Sequence, residues 1–338
     1  MTETTAYAPA EDRYERMTYR RCGRSGLKLP AISLGAWETF GGYRDGGVAR
    51  QCFTRAFDLG ITHFDFANNY GHPPGNAERV CGEILRELPR DEIIISTKAG
   101  FPMWSGPYGD LGSRKHLIAS CDQSLQRLGV DYVDIFYHHR PDPETPIEET
   151  MGALATLVAQ GKALYVGLSS YSGRQSLAAL EAARAIGLTL TIHQPYYSLI
   201  GRRIETDLLP HTRDAGVGVI AFAPLASGLL TDKHLDGEVP PGARGALWPG
   251  AWVRANDKAR RAEVLGGLNA IAETRGQTLA QMALAFVLRD PAVVSALAGA
   301  SRVEQIEQNV KALENLGFSA DELASIDDLT ATSAPARG

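Results

Sequence analysis

Residues 60–71 read GITHFDFANNYG and residues 93–100 read IIISTKAG. Each contains a short run rich in β-branched or aromatic residues that closes on a charge a core strand should avoid, Asp65 in the first and Lys98 in the second. Side chains alternate across a strand, so Phe64 and Phe66 share one face and Asp65 takes the other. By the same rule Ile93 and Ile95 turn outward, while Lys98 lies on the inward parity with Ile94. Working outward, runs of this kind cover Ala31–Leu34, Thr62–Ala67, Ile93–Ala99, Tyr132–Arg140, Ala163–Ser170, Leu190–Tyr196, Val217–Ala223 and Val293–Gly299. Eight of them, most separated by helical periodicity, predict parallel strands joined by crossovers. An open doubly wound sheet and a closed (β/α)8 TIM barrel both fit the count. An open sheet concentrates its ligand at one switch point, whereas a barrel draws its site from the carboxyl ends of several strands. Polar endings are spread along the chain: Ser96-Thr97-Lys98, His138-His139-Arg140, Ser169-Ser170 and His193-Gln194. The α/β barrel is the reading they favour.

The intervening helices carry their own punctuation. Ser113 is a good N-cap, Leu117, Cys121, Leu125 and Leu128 recur at helical spacing, and Gly129 stands at the expected stop. Met151, Leu154, Leu157 and Val158 make a second stripe before Gly161, and Leu177, Leu180 and Ile186 a third before Gly187. Leu235–Val253, with several Gly and Pro plus Trp248 and Trp252, reads as a long loop after strand seven, before a helix starting near Asp257. Arg302–Leu313 and Ala320–Leu329 read as extra C-terminal helices. With no repeat and no linker, residues 17–330 are expected to form one domain, and 1–16 and 331–338 to be flexible termini.

A formal net charge of −5 and no basic run interleaved with aromatics argue against nucleic acid or an anionic membrane as partner. No apolar stretch is long enough to span a bilayer, and no apolar leader opens the chain. Cys22, Cys52, Cys81 and Cys121 form no C-x-x-C pair and read as reduced, packed thiols, so a cytoplasmic location is expected. No metal-ligand cluster stands out.

Alternation makes Asp65, Lys98 and Ser169 converge on one end of the barrel axis. A core ion pair is the plainer account of Asp65 and Lys98. The wider pattern says more. Asp65 and Tyr70 in DFANNY, Lys98 in ISTKAG and His139 before Arg140 resemble the Asp/Tyr/Lys/His tetrad of the aldo-keto reductases. The resemblance runs from GAWETFGG (35–42) to GASRVEQIEQN (299–309). It is nearest to the branch of bacterial L-glyceraldehyde 3-phosphate reductases and potassium-channel β-subunits, through DQSLQRLGVDYVDIFYHHR (122–140) and GKALYVGLSSYS (161–172). It implies hydride transfer from a nicotinamide cofactor to an aldehyde or ketone. Tyr70 would be the general acid, its weak phenol made more acidic by Lys98, with Asp65 holding Lys98 and His139 polarising the substrate oxygen. His138, of opposite parity, should face the helices.

The resemblance also implies a cofactor site on the carboxyl face. Gly216-Val-Gly-Val-Ile-Ala221 fits the letters of a dinucleotide fingerprint, but it precedes its strand and reads as a turn. The implied site instead has Ala36 and Trp37 beside the nicotinamide, Ser169, Ser170 and Gln194 around its carboxamide, and Phe222 stacked on its ring. Pro224, Leu225, Ser227, Gly228 and Lys233 would meet the pyrophosphate. Gly299, Ser301, Arg302, Gln305, Gln308 and Asn309 would clamp adenosine, with Ser301 and Arg302 at a helix start suited to a phosphate. That points to NADPH, with NADH use left open because Gln305 and Gln308 stand where relatives carry charge. Trp37, Tyr70, Trp104 and His139 are the candidate substrate contacts, Phe101 a further wall, and the substrate a small carbonyl such as L-glyceraldehyde 3-phosphate or methylglyoxal. For a substrate phosphate the sequence offers no cation beyond Arg140. A homo-oligomer is the expectation taken from the branch.

Two other classes fit parts of this pattern. One is an NADP-binding regulatory subunit with little turnover, against which the retained Tyr70 and His139 speak. The other is a Schiff-base aldolase built on Lys98, against which Asp65 speaks by keeping the amine protonated.

Overall fold

A computed structural model describes residues 7–42, 46–239, 241, 246 and 251–331, with backbone alone for 251 and 252. A short antiparallel hairpin comes first, β1 (Tyr19–Arg21) against β2 (Lys28–Pro30). Eight strands then follow: β3 (Ile32–Gly35), β4 (His63–Asp65), β5 (Ile94–Ala99), β6 (Val133–His138), β7 (Ala163–Ser169), β8 (Leu190–Gln194), β9 (Gly218–Phe222) and β10 (Val293–Ala298). Their order, β10-β3-β4-β5-β6-β7-β8-β9, closes on itself as a parallel barrel. The open sheet is thereby excluded, and the eight expected strands are all present with slightly shifted ends. Closure pairs every strand on both edges, so no edge is left to aggregate.

The expected alternation sorts the walls. Phe64 and Phe66 face outward onto helix α1 (Gly46–Asp58), where the Phe53 ring stacks on Phe64 with centroids 4.9 Å apart. Inside, Ile135, Tyr137, Ile192, Ile220 and Val294 pack with Cys22, Leu27 and Leu29 from the hairpin. The hairpin therefore plugs the amino end of the barrel. Sequence reasoning missed it because strands of three residues show no periodicity. Gly23, at φ +55°, turns the hairpin where a Cβ would lie 2.0 Å from the Gly216 carbonyl oxygen. The Arg24 amide donates to that same oxygen at 2.9 Å, so the plug is pinned to the start of β9.

Helix α2 (Asn76–Leu85) follows β4, and α3 (Arg114–Leu128) follows β5. The caps of α3 are as expected: Ser113 accepts from the His116 amide, and Gly129 closes the helix at φ 69°. In α4 (Ile147–Ala159), Met151, Leu154 and Leu157 are buried. The third stripe needs correction. In α5 (Gly173–Ala185) the buried face is Gly173, Ser176, Ala179, Ala182 and Ala183, whereas Leu177 and Ile186 are 45% and 49% exposed. Small residues win that face because α5 lies close to its neighbours, and a Cβ on Gly173 would sit 2.0 Å from the Asp207 carbonyl.

The N-terminal arm also differs from expectation. Of the stretch 1–16 expected to be loose, residues 7–16 are tied down: the Tyr7 hydroxyl donates to Asp58 Oδ1 at 2.7 Å, the Ala10 amide donates to the same oxygen at 2.9 Å, and Arg13 pairs with Glu92. The C-terminal extension comprises helices Val303–Val310 and Ala320–Ala331, as expected, the second running one residue into the expected tail. Residues 332–338 lie outside the described residues. So do Trp248 and part of the expected loop 235–253, whose last residues belong to a short helix, Ala251–Ala255. Asp257 caps the next helix, Lys258–Thr274, by accepting from the Arg260 amide. Among the described residues no helix is long and apolar enough to cross a membrane.

Substituting Gly23→Ala should lower stability by about 2 kcal/mol or more, since it combines a left-handed backbone with a backbone collision. Urea unfolding followed by circular dichroism measures it; an unchanged midpoint would mean that the plug is not rigidly docked.

Candidate active site

Strands β4 and β5 deliver the two charges. Lys98 and Asp65 are 0% and 1% exposed, with Nζ 2.5 Å from Oδ2. Lys98 also donates to the Phe66 carbonyl at 2.6 Å, and its Nζ lies 3.5 Å from the Tyr70 hydroxyl. Asp65 Oδ1 accepts from Ser96 Oγ at 2.6 Å and from Gln194 Nε2 at 3.2 Å. Both carboxylate oxygens thus accept hydrogen bonds, which offsets the cost of burying the group.

Tyr70 comes from the loop after β4. Its carbonyl accepts from the amides of Gly75 and Ala77, at the start of α2, so the helix end anchors the loop. Gly71, at φ +86°, passes where a Cβ would meet the Ala77 nitrogen at 2.6 Å. His139 extends β6 by one residue, its amide donating to the Ala99 carbonyl at 2.9 Å. Its ring lies edge-on to Tyr70, with centroids 5.9 Å apart, and to Phe101 at 4.6 Å. His138 points the other way, as expected, with Nδ1 2.6 Å from the Tyr171 hydroxyl. The four candidate residues thus meet at one end of the barrel. The ion pair is supported from behind by Glu78, a residue not singled out from the sequence. It accepts from Thr97 Oγ1 and is paired with Arg127 at 2.7 Å.

Electrostatics correct one expectation. Tyr70 was expected to be acidified by Lys98. Burial instead pushes its phenol well above the ordinary value, and the carboxylates of Asp65 and Glu38 add to that. The ammonium is closer to Asp65 than to the phenol, so the carboxylate offsets part of its pull on the phenol proton, and burial outweighs the remainder. Burial lowers Lys98, opposed by Asp65. His139 is driven well below the usual imidazole range, by burial first and then by Lys98, His138 and Arg140. Tyr70 protonated and His139 neutral are therefore the forms at neutral pH.

Several of the expected cofactor residues lie at the same ends of the strands. Ala36 is buried, and its amide donates to the Asp65 carbonyl at 3.0 Å; Trp37 follows in a left-handed conformation, φ 23°. Ser169 Oγ lies 3.4 Å from Ser170 Oγ, and Ser170, at φ 62°, donates its amide to the Gln194 carbonyl. Phe222 packs edge-on to Tyr196 at 5.8 Å, an aromatic neighbour not picked out from the sequence. Just beyond, Ala223, Ala226, Ser227 and Gly228 all have positive φ, the first three without being glycine. That run of strained backbone between Pro224, Leu225 and Lys233 is the kind of feature a binding loop retains. At the far end, Ser301 and Arg302 line an open cavity of about 310 Å³ with Val48, Gln51 and Cys52 of α1. Gly299 precedes it, exposed, and Asn309 is buried behind it. A nucleotide fits this arrangement: strained loop, half-exposed aromatic, and a cavity edged by a hydroxyl and a guanidinium.

Some expected residues are engaged within the protein. Gln305 Oε1 accepts from the Ser301 amide at 2.8 Å, and Gln308 Oε1 accepts from Gln281 at 3.1 Å. Trp104 lies against His116 of α3 at 4.9 Å. Arg140, the only cation suggested for a substrate phosphate, is held bidentately by Asp110 at 2.8 and 2.9 Å and lies over Phe101. Among the described residues no cluster of His, Cys, Asp or Glu is arranged to hold a metal.

Known proteins are similar to this chain. The chain is 53% identical to an L-glyceraldehyde 3-phosphate reductase of Escherichia coli (strain K12), over 94% of this chain and 93% of that one. It is 40% identical to a probable voltage-gated potassium channel subunit beta of Arabidopsis thaliana, over 88% and 92%. Among solved structures, a thermostable aldo-keto reductase in complex with the inhibitor epalrestat superposes with a TM-score of 0.73 at 29% identity, covering 93% of this chain and all of that one. Residues 31–331 match the Aldo/keto reductase family, a family of oxidoreductases that use nicotinamide cofactors. This barrel, with its buried Asp65–Lys98 pair between Tyr70 and His139, belongs to the aldo-keto reductases.

Proposed function

We propose that this enzyme reduces small aldehydes and ketones with NADPH, and that Tyr70 gives the proton. The observation that carries the reading is the meeting of Tyr70, Lys98, Asp65 and His139 at the carboxyl end of the barrel. When bound, the dihydronicotinamide supplies the hydride. The chain's own residues deal with the oxygen. His139, neutral, offers a ring N–H to the carbonyl oxygen and polarises it. Tyr70 holds a proton at its hydroxyl until charge develops on that oxygen. Lys98, fixed by Asp65, then stands beside the phenolate that forms, which stabilises the product of proton transfer more than the starting state.

Ser301 and Arg302, at the cavity by α1, support a preference for the phosphorylated nucleotide. The reductase relative from E. coli supports L-glyceraldehyde 3-phosphate as substrate, and methylglyoxal is the simplest related carbonyl. Trp37, Trp104 and Phe101 are the proposed pocket walls. Four buried cysteines, none in a disulfide, suit a cytoplasmic location. We expect no nucleic-acid or membrane partner, and a homo-oligomer. The channel-subunit relative favours a second reading, a nucleotide-binding regulatory protein with little turnover.

Tyr70→Phe should lower kcat for methylglyoxal or L-glyceraldehyde 3-phosphate by about 100-fold or more while NADPH binding, read by fluorescence, stays within about twofold. Tight NADPH binding with no wild-type turnover would shift the assignment to the regulatory reading. The pH profile has a defined sign. A phenol raised above its ordinary value stays protonated, and an imidazole lowered well below its own stays neutral, so kcat/KM should be flat between about pH 6 and 9. An ionisation near neutrality would overturn the neutral role of His139. Arg302→Ala should reduce kcat/KM for NADPH about tenfold and leave NADH within about twofold; equal losses with both would remove Arg302 from phosphate recognition.

A further inference from the structure

One step nearer the amino end of the strands than the ion pair, the interior of the barrel is polar. Ser33 of β3, His63 of β4, Ser96 of β5 and Ser295 of β10 are all fully buried. They form one chain: Ser295 Oγ to Ser33 Oγ at 2.6 Å, Ser33 Oγ to His63 Nδ1 at 2.9 Å, His63 Nε2 to Ser96 Oγ at 2.9 Å, and Ser96 Oγ to Asp65 Oδ1 at 2.6 Å. The direction of each bond follows from the last. An Asp65 carboxylate paired with Lys98 has no proton to give, so Ser96 donates to it. With its one proton spent, Ser96 must accept, so His63 carries its proton on Nε2. Burial pushes His63 down to about 4, which leaves one ring proton at neutral pH. Nδ1 is then bare and accepts from Ser33, which in turn accepts from Ser295. Four donors point one way, toward Asp65.

We propose that His63 is a positioning residue for the reaction, locked as the Nε2–H tautomer so that Ser96 and Gln194 saturate Asp65 Oδ1 and leave Oδ2 to Lys98 alone. The carboxylate cannot rotate without breaking this chain, and Lys98 therefore keeps its place beside Tyr70. The inference rests on Tyr70 as the proton donor. The groups that face this assembly are Lys98, Tyr70 and Tyr137 around Asp65, Glu38 acting on Tyr70, and His139 within the field of Lys98.

The first test is 15N NMR of histidine-labelled wild-type protein. His63 is expected to show a protonated Nε2 and a bare Nδ1, with no titration between about pH 5 and 8; a protonated Nδ1, or an imidazolium, would overturn the proposal. The second is Ser96→Ala, with Ser33→Ala in its place if that variant does not fold. In Ser96→Ala, kcat for carbonyl reduction should fall about tenfold with KM within about twofold, and the flat region of the kcat–pH profile should narrow. A folded variant with an unshifted profile, whether or not kcat falls, would reduce His63 to a packing role and sink the proposal. Full activity in Tyr70→Phe would remove the proton-donor reading instead, and the tautomer of His63 would still be read independently.

Discussion

An ammonium and a carboxylate with almost no access to water sit 2.5 Å apart at the mouth of the barrel. Each would be costly to bury alone, by several kcal/mol even after relaxation, so neither Lys98 nor Asp65 is tolerable without the other. The surroundings are arranged to complete the pair. Ser96 and Gln194 cover one carboxylate oxygen, the Phe66 carbonyl takes a second ammonium proton, and Tyr70 stands at 3.5 Å. These groups come from β4, β5, β8 and the loop after β4. Only a closed barrel brings those strand ends to one point, so the fold and the ion pair require each other.

The interior is graded along the barrel axis. Cys22, Leu27 and Leu29 of the hairpin, with Ile135, Ile192 and Ile220, close the amino end with apolar volume. The serine–histidine chain lies deeper than the ion pair, and the charged centre lies at the carboxyl end. A plug at the amino end excludes water from the polar tier, which leaves the hydroxyls to bond with one another. In that dry setting each bond is stronger than at the surface, and an unmade one is more costly.

The peptide groups around the proposed nucleotide site show the opposite economy. Trp37, Ser170, Ala223, Ala226 and Ser227 are non-glycine residues held at positive φ. Such backbone is unfavourable by about 1–3 kcal/mol per residue and persists where the surrounding structure over-determines it. These residues cluster at strand ends and in the loop after β9. The stable barrel wall carries the loops, and the loops carry the strain.

Much of this was legible beforehand. The alternation in THFDFA and IIISTKA determined that Phe64 and Phe66 face out and that Asp65 and Lys98 face in, because a strand has a period of two whatever surrounds it. Ser113 and Gly129 marked α3 because caps are local chemistry. The tertiary structure alone decided what depends on distance between remote residues. The hairpin plug, the small-residue face of α5, the docking of residues 7–16 on Asp58 and Glu92, and the capture of Arg140 by Asp110 left no periodic trace. The state of Tyr70 belongs there too. Adjacency to a lysine reads as acidifying, but how far the carboxylate and the burial outweigh the ammonium is set by ångström-scale separations that no spacing in the chain encodes.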